Sequence, residues 1–234
     1  MNKSRKFAAL IIIAVFLIAF TGKTYAQEED DGEPHGLYVE RPKVFRGGVV
    51  AGVNFAQVDG DYFAGYHKIG LNAGGIVYAQ LAKHVALSME LIYSQKGSKS
   101  NIGEPSLTLQ NVFIAKYGIS ANYIELPIMI NYFDKRKSHI GIGVSYSRLI
   151  NSKETLQIDS NNVIKNIDLN NKYPFVANNF DFLAGVDLNL WKGLFLNIRF
   201  QYSIIPMRTE IPPNYSRADQ YNNLWVLRLM YLLK

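Results

Sequence analysis

The sequence contains no cysteine. That excludes a disulfide framework, and it leaves no thiol to carry a lipid behind an export signal. A long apolar run is also missing. The greasiest stretch, Phe7 to Phe20, holds about 14 residues where a spanning helix needs ~20. No catalytic or cofactor motif stands out. The four histidines, His35, His67, His84 and His139, are scattered over the N-terminal tail, a loop and two strand starts. Such spacing suits solvated or interfacial side chains better than a metal or catalytic site. Asp59 and Asp61 flank Gly60. Two carboxylates are too few for the oxygen shell of Ca²⁺, so they read as a turn. For rim-sited catalysis, His67 with Asp59 or Asp61 is the sole candidate pair.

What the N-terminus does have is a basic start (Met-Asn-Lys-Ser-Arg-Lys), the short apolar core, and Thr24-Tyr25-Ala26 before Gln27. This is the pattern of a secretory signal peptide over residues 1–26, with cleavage expected after Ala26. Its removal takes away Lys3, Arg5, Lys6 and Lys23, so the formal charge of +6 falls by four to +2. The high pI therefore gives no argument for a nucleic-acid partner. Residues 27–42 begin acidic and polar (Gln-Glu-Glu-Asp-Asp-Gly-Glu) and read as a short flexible lead-in.

From residue 43 to 234 the pattern is strict alternation, the period of β-strands. It is clearest at 193–206, where Leu194, Leu196, Ile198, Phe200, Tyr202 and Ile204 alternate with Asn197, Arg199, Gln201 and Ser203. Eight such strands are expected, near 43–56, 69–81, 84–96, 119–133, 138–150, 178–191, 194–205 and 222–234. Pro127 cannot donate to a ladder and should mark a bulge or a locally open edge. The connections alternate long and short: loops at 57–68, 97–118 (with a hairpin extension above the barrel over Leu107 to Ile114 as the alternative), 151–177 and 206–221, turns at 82–83, 134–137 and 191–193. An even-stranded barrel with short turns on one side and long loops on the other has the plan of an outer-membrane protein.

The alternative is a soluble barrel or sandwich with the greasy face inward, and lysine decides between them. Lys43, Lys68, Lys83, Lys96, Lys135, Lys137, Lys153 and Lys192 are read at strand ends, turns or loops, with none at strand centres. A hydrated outer face would need them there. The polar face is instead Gly, Ser and Asn with a few charges, which suits a narrow lumen. Aromatics gather at both ends of the apolar face, Phe45, Tyr132, Trp191 and Tyr231 on the turn side, Tyr93, Tyr146, Tyr202 and Trp225 towards the loops. Two such belts mark the two bilayer interfaces.

On the lumen parity lie Arg46, Glu90, Glu125, Asp187, Arg199 and Arg228. Glu90 and Glu125 fall on neighbouring strands, and so do Arg199 and Arg228 opposite them, with Asp187 diagonal to Arg199. Like charges confined together demand partners of opposite sign, so these six are expected to form a structural ion-pair network filling the lumen.

Gly48 to Phe55 (Gly-Val-Val-Ala-Gly-Val-Asn-Phe), Gly65 to Gly75, Glu90 to Gly97 (Glu-Leu-Ile-Tyr-Ser-Gln-Lys-Gly) and Tyr123 to Pro127 (Tyr-Ile-Glu-Leu-Pro) resemble the PorT-like family of small outer-membrane β-barrels from the Bacteroidota. The resemblance samples the first four strands, and the strand plan extends it to the C-terminus. It implies an all-β, eight-stranded antiparallel transmembrane β-barrel in the outer membrane of a Gram-negative cell. The family's namesake assists a secretion system, so a secretion-related accessory role is implied as well. The expected function is non-enzymatic and cofactor-free, with outer-membrane lipid and another envelope protein as partners. A narrow solute channel is the alternative, and a rim-sited enzyme a weaker one.

Overall fold

The computed structural model describes residues 44–61, 65–100, 104–105, 112–160, 163–168, 173–208, 210 and 216–233. The expected signal peptide, the 27–42 lead-in and His35 lie outside the described residues. Eight strands form the wall: β1 (Phe45–Asp61), β2 (Lys68–Ala82), β3 (Val85–Ser100), β4 (Val112–Phe133), β5 (His139–Ser160), β6 (Asn178–Trp191), β7 (Leu194–Ser203) and β8 (Ser216–Leu232). Each pairs antiparallel with its chain neighbours. β8 returns to pair with β1 from Gly48↔Leu232 to Asp61↔Ser216, which closes the sheet. Closure removes the edges whose N–H and C=O groups lipid could not satisfy. Two short strands add to the long-loop side: Glu104–Pro105 on β4 and Val163–Asp168 on β5.

The faces divide as alternation requires. Outward lie Val49, Leu71, Val77, Leu91, Ile128, Ile130, Ile142, Val144, Phe182, Val186, Leu227 and Leu229, all exposed. Inward lie Asn54, Asn72, Ser88, Ser94, Ser145, Ser147, Asn179, Gln201 and Ser203, all buried. A polar interior under an apolar coat is stable only where the surroundings are apolar too. Phe45, Tyr132, Trp191 and Tyr231 are exposed at the turn end, and Trp225 at the loop end packs on Phe200 at 5.2 Å between ring centroids.

Between β6 and β7 the chain reverses at Gly193, whose φ of 92° suits a residue without Cβ. Gly52 faces Arg228 in the β1–β8 ladder, where a Cβ would stand 2.4 Å from the Arg228 Cα. That glycine lets a large inward side chain enter the lumen beside it.

The expected extents are corrected. The strands run on into what polarity marked as loops at 57–68, 97–118, 151–177 and 206–221: β1 reaches Asp61, β3 Ser100, β4 starts at Val112, β5 continues to Ser160, and β8 starts at Ser216. Beyond the lipid the outward face no longer has to be apolar, so the alternation fades although the ladder continues. In β5 a bulge also reverses the parity, since Asn122 pairs with Asn151 while Tyr123 pairs with Leu149, leaving Ile150 extra. Lys96 and Lys153 consequently stand within strands, and Lys96 is fully buried rather than at a strand end. Pro127 makes no bulge. The β3–β4 ladder keeps register but skips Glu90 and Leu91 between Met89↔Ile128 and Ile92↔Glu125.

Candidate functional site

The barrel's chemistry is concentrated in its lumen, where the inward residues stack in layers from the turn end to the loop end. The lowest layer is apolar: Val50, Ile76, Tyr78, Ala86, Ile92, Phe195, Met230 and Leu232 are buried together, with Phe133 against them. His139 stacks on Phe133 at 4.1 Å. Its Nε2 lies 2.9 Å from the Tyr78 hydroxyl and 3.2 Å from Asp187 Oδ2. One ring nitrogen faces both groups, so the imidazole cannot relay a proton from one to the other through its two nitrogens.

Above it, Glu90 takes two arginines. Arg199 Nη2 donates to Glu90 Oε1 at 2.6 Å, and Arg228 Nη2 stands 2.9 Å from Oε2. Arg228 also donates to Asn197 Oδ1 (2.7 Å) and Asn72 Oδ1 (3.2 Å), while Asn197 donates to Asp187 Oδ1 at 2.7 Å. The skipped ladder positions opposite Pro127 are where β3 carries Glu90.

The third layer inverts the arrangement, with one cation between two acids. Lys96 Nζ lies 2.6 Å from Glu125 Oε1 and 2.7 Å from Asp181 Oδ2, and 5.1 Å from the centroid of the Tyr123 ring. Gln201, Ser147 and Ser203 donate to Asp181 at 2.8, 3.0 and 2.9 Å. Both carboxylates thus find donors that replace water. The top layer pairs Arg208 with Glu154 at 3.1 Å, Tyr117 donates to the same carboxylate, and the guanidinium lies 4.0 Å over Phe175. Val58, Ile119, Leu156 and Met207 pack around them. Burial, with the Glu154 charge beside it, holds the Tyr117 hydroxyl well above its ordinary pKa.

Of the residues singled out from sequence, Glu90, Arg199 and Arg228 meet in one layer. Asp187 joins them through Asn197. Glu125 belongs to the next layer and is held by Lys96. Arg46 is exposed near the start of β1, where it pairs in the ladder with Tyr78 of the lowest layer. His139 is buried in the lumen rather than solvated, His84 Nδ1 contacts the Phe133 carbonyl at 3.1 Å, and His67 is exposed just before β2. Asp59 accepts from Gln57 and Asn223, and Asp61 ends β1 rather than lying in a turn. Among the described residues no three of His, Cys, Asp and Glu gather as a metal site would require.

Sequence reasoning missed Lys96, Asp181, Glu154 and Arg208. Lys96 and Asp181 share parity with Glu90 and Asp187, which was the available signal. Glu154 lies beyond the parity-reversing bulge, and Arg208 follows β7 outside any strand.

A family model described as outer membrane protein beta-barrel domain matches residues 25–208. No curated protein matches the sequence significantly. Solved structures similar to the chain include Ail, the attachment invasion locus protein of Yersinia pestis, at 10% identity, covering 80% of this chain and 98% of that one, with a TM-score of 0.44. Neisserial surface protein A is similar at 10% identity, 80% and 96% coverage, and a TM-score of 0.41. The outer membrane protein AlkL is similar at 14% identity, 86% and 97% coverage, and a TM-score of 0.36.

Proposed function

The chain belongs to the outer membrane protein beta-barrel family, and from that premise we propose that it is a closed, non-enzymatic accessory barrel that acts on another envelope protein through its outer loops or its turn-side rim. One observation carries this reading: among the described residues, buried side chains occupy the lumen at its turn end, its middle and its loop end. Apolar side chains close the turn end, two ion-pair layers occupy the middle, and Arg208, Glu154 and Phe175 cap the loop end. Buried charges paired with opposite charges in this way favour a rigid plug over a conducting path. With the interior occupied, the two rims are the surfaces left to meet another envelope protein. The PorT-like resemblance supports a secretion-related pathway as the setting, and the basic N-terminus supports delivery by a cleaved signal peptide.

Two measurements test this reading. Wild-type protein in planar bilayers should show no regular conductance. Crosslinking in native outer membranes, followed by pull-down, should recover a discrete envelope protein. Ohmic unitary steps would favour the narrow-channel alternative. Recovery of the barrel alone would defeat the accessory role.

A further inference from the structure

The described outward face of β2 to β5 carries exposed lysines. Among its described side chains there is no Asp or Glu, while Lys99, Lys116 and Lys153 are all exposed. They gather around a bare patch of β4. Gly118 pairs with Lys99 on one side and Thr155 on the other, and Ser120 pairs with Gly97 and Lys153. Lys116 stands two residues farther along the same face. Lys68, at the start of β2, reaches across β3 to Ser120 Oγ at 3.4 Å. Partial burial and the Lys99 charge push the Lys68 ammonium below its ordinary pKa. By register Glu104, opposite Ile114, and Asp159, two residues beyond the Gln157 that pairs with Lys116, lie farther out, while Asp168, opposite Thr155, is level with Gly118 two strands to the side.

The floor of this patch is open. Gly118 has no side chain, and a Cβ built on it would meet nothing closer than 3.9 Å, while the neighbouring Gly97 is buried. The patch also sits at a defined height. On β4 the last exposed lipid-facing residue is Ile124, four residues from Ser120, or about 13 Å along a tilted strand. On β5 the exposed Ile150 lies three residues before Lys153. The lysines therefore begin where the apolar band ends, at the level of polar headgroups.

We propose that Lys68, Lys99, Lys116 and Lys153, with the Ser120 hydroxyl, form a binding site for a phosphate group on a lipid of the outer leaflet. The ammonium groups neutralise the phosphate, Ser120 donates to one of its oxygens, and the glycine floor lets the headgroup lie against the strand. The position favours a lipid over a soluble anion, because the acyl chains below the headgroup would lie on Leu91, Ile124 and Val144, which are already exposed to the bilayer. This inference rests on the family placement in the outer membrane and is independent of the accessory role.

The test uses the full barrel in phosphatidylcholine nanodiscs with diphosphoryl lipid A as probe, retention being read by native mass spectrometry. Wild type should retain the probe over its dephosphorylated form. Lys99→Gln with Lys153→Gln should lower retention about tenfold, in keeping with two lost ammonium–phosphate contacts. Gly118→Val should lower it too, by filling the floor with charge unchanged. Lys135→Gln with Lys137→Gln, at a turn on the opposite rim, should not. Equal retention by wild type and both patch variants would overturn the site, as would equal retention of the dephosphorylated form. Full displacement by inorganic phosphate at matched concentration would make it a soluble-anion site and overturn the lipid assignment.

Discussion

A single lysine holds two acids apart in the middle of the barrel. Lys96 Nζ is within 2.7 Å of both Glu125 and Asp181, and all three side chains are almost wholly buried. Taking such charges out of water is costly, so the cluster stabilises the fold only as a complete set. Lys96→Met keeps most of the side chain's length and removes the charge. It leaves two carboxylates facing each other without their cation, and removal of one partner of a buried pair typically costs ~3–5 kcal/mol. The variant should unfold at clearly lower temperature than wild type in a gel-mobility heating series. Adding Glu125→Gln and Asp181→Asn to Lys96→Met should recover a large part of the loss, since neutral amides need no counter-charge. A Lys96→Met barrel as stable as wild type would show that the triad contributes nothing to stability.

At the scale of the strand, the outward face is constrained by lipid and the inward face by its partners, and the two constraints left different marks in the sequence. Val144 and Ile198 are exposed on the outward faces of β5 and β7. An arginine there would sit near the bilayer midplane, at a cost of ~2–4 kcal/mol in a barrel. Val144→Arg or Ile198→Arg should reduce assembled, heat-resistant protein in the membrane fraction. Ser145→Ala, one residue away but turned inward with an Oγ that has no hydrogen-bond partner among the described residues, should assemble normally. Equal loss in all three would mean the faces are assigned the wrong way round. The same asymmetry explains what was legible. Lipid rejects polar side chains at every outward position, so the alternation of β6, β7 and the lower part of β5 could be read directly. Above the band that pressure ends, and polar residues of long ladders such as Tyr117↔Leu156 resemble a loop. The Ile150 bulge then reverses the faces, so a fixed parity hides Glu154.

Across the whole molecule, the partners in the lumen could be anticipated in kind but not in pairing. Parity put Glu90, Glu125, Arg199 and Arg228 inside. Which acid meets which base depends on how the closed sheet staggers its strands, and alternation carries no information about stagger. Hence Glu90 collects both arginines, while Glu125 turns to Lys96 one layer higher. Orientation in the membrane, by contrast, follows from connection lengths. β2–β3, β4–β5 and β6–β7 are joined by residues 83–84, 134–138 and 192–193, and the barrel's two chain ends meet beside these turns at Gly48↔Leu232. Longer connections all leave the other rim. In outer-membrane barrels the short turns face the periplasm and the long loops face outward. Trypsin added to intact cells should therefore cut within the β5–β6 connection, where Lys165 and Lys172 lie, and leave Lys135, Arg136 and Lys137 untouched although all three are exposed on the turn. Permeabilising the outer membrane should then open the 134–138 turn to the protease. Cleavage at that turn in intact cells, with the β5–β6 connection spared, would invert the orientation and place the lysine patch of β2 to β5 in the periplasmic leaflet.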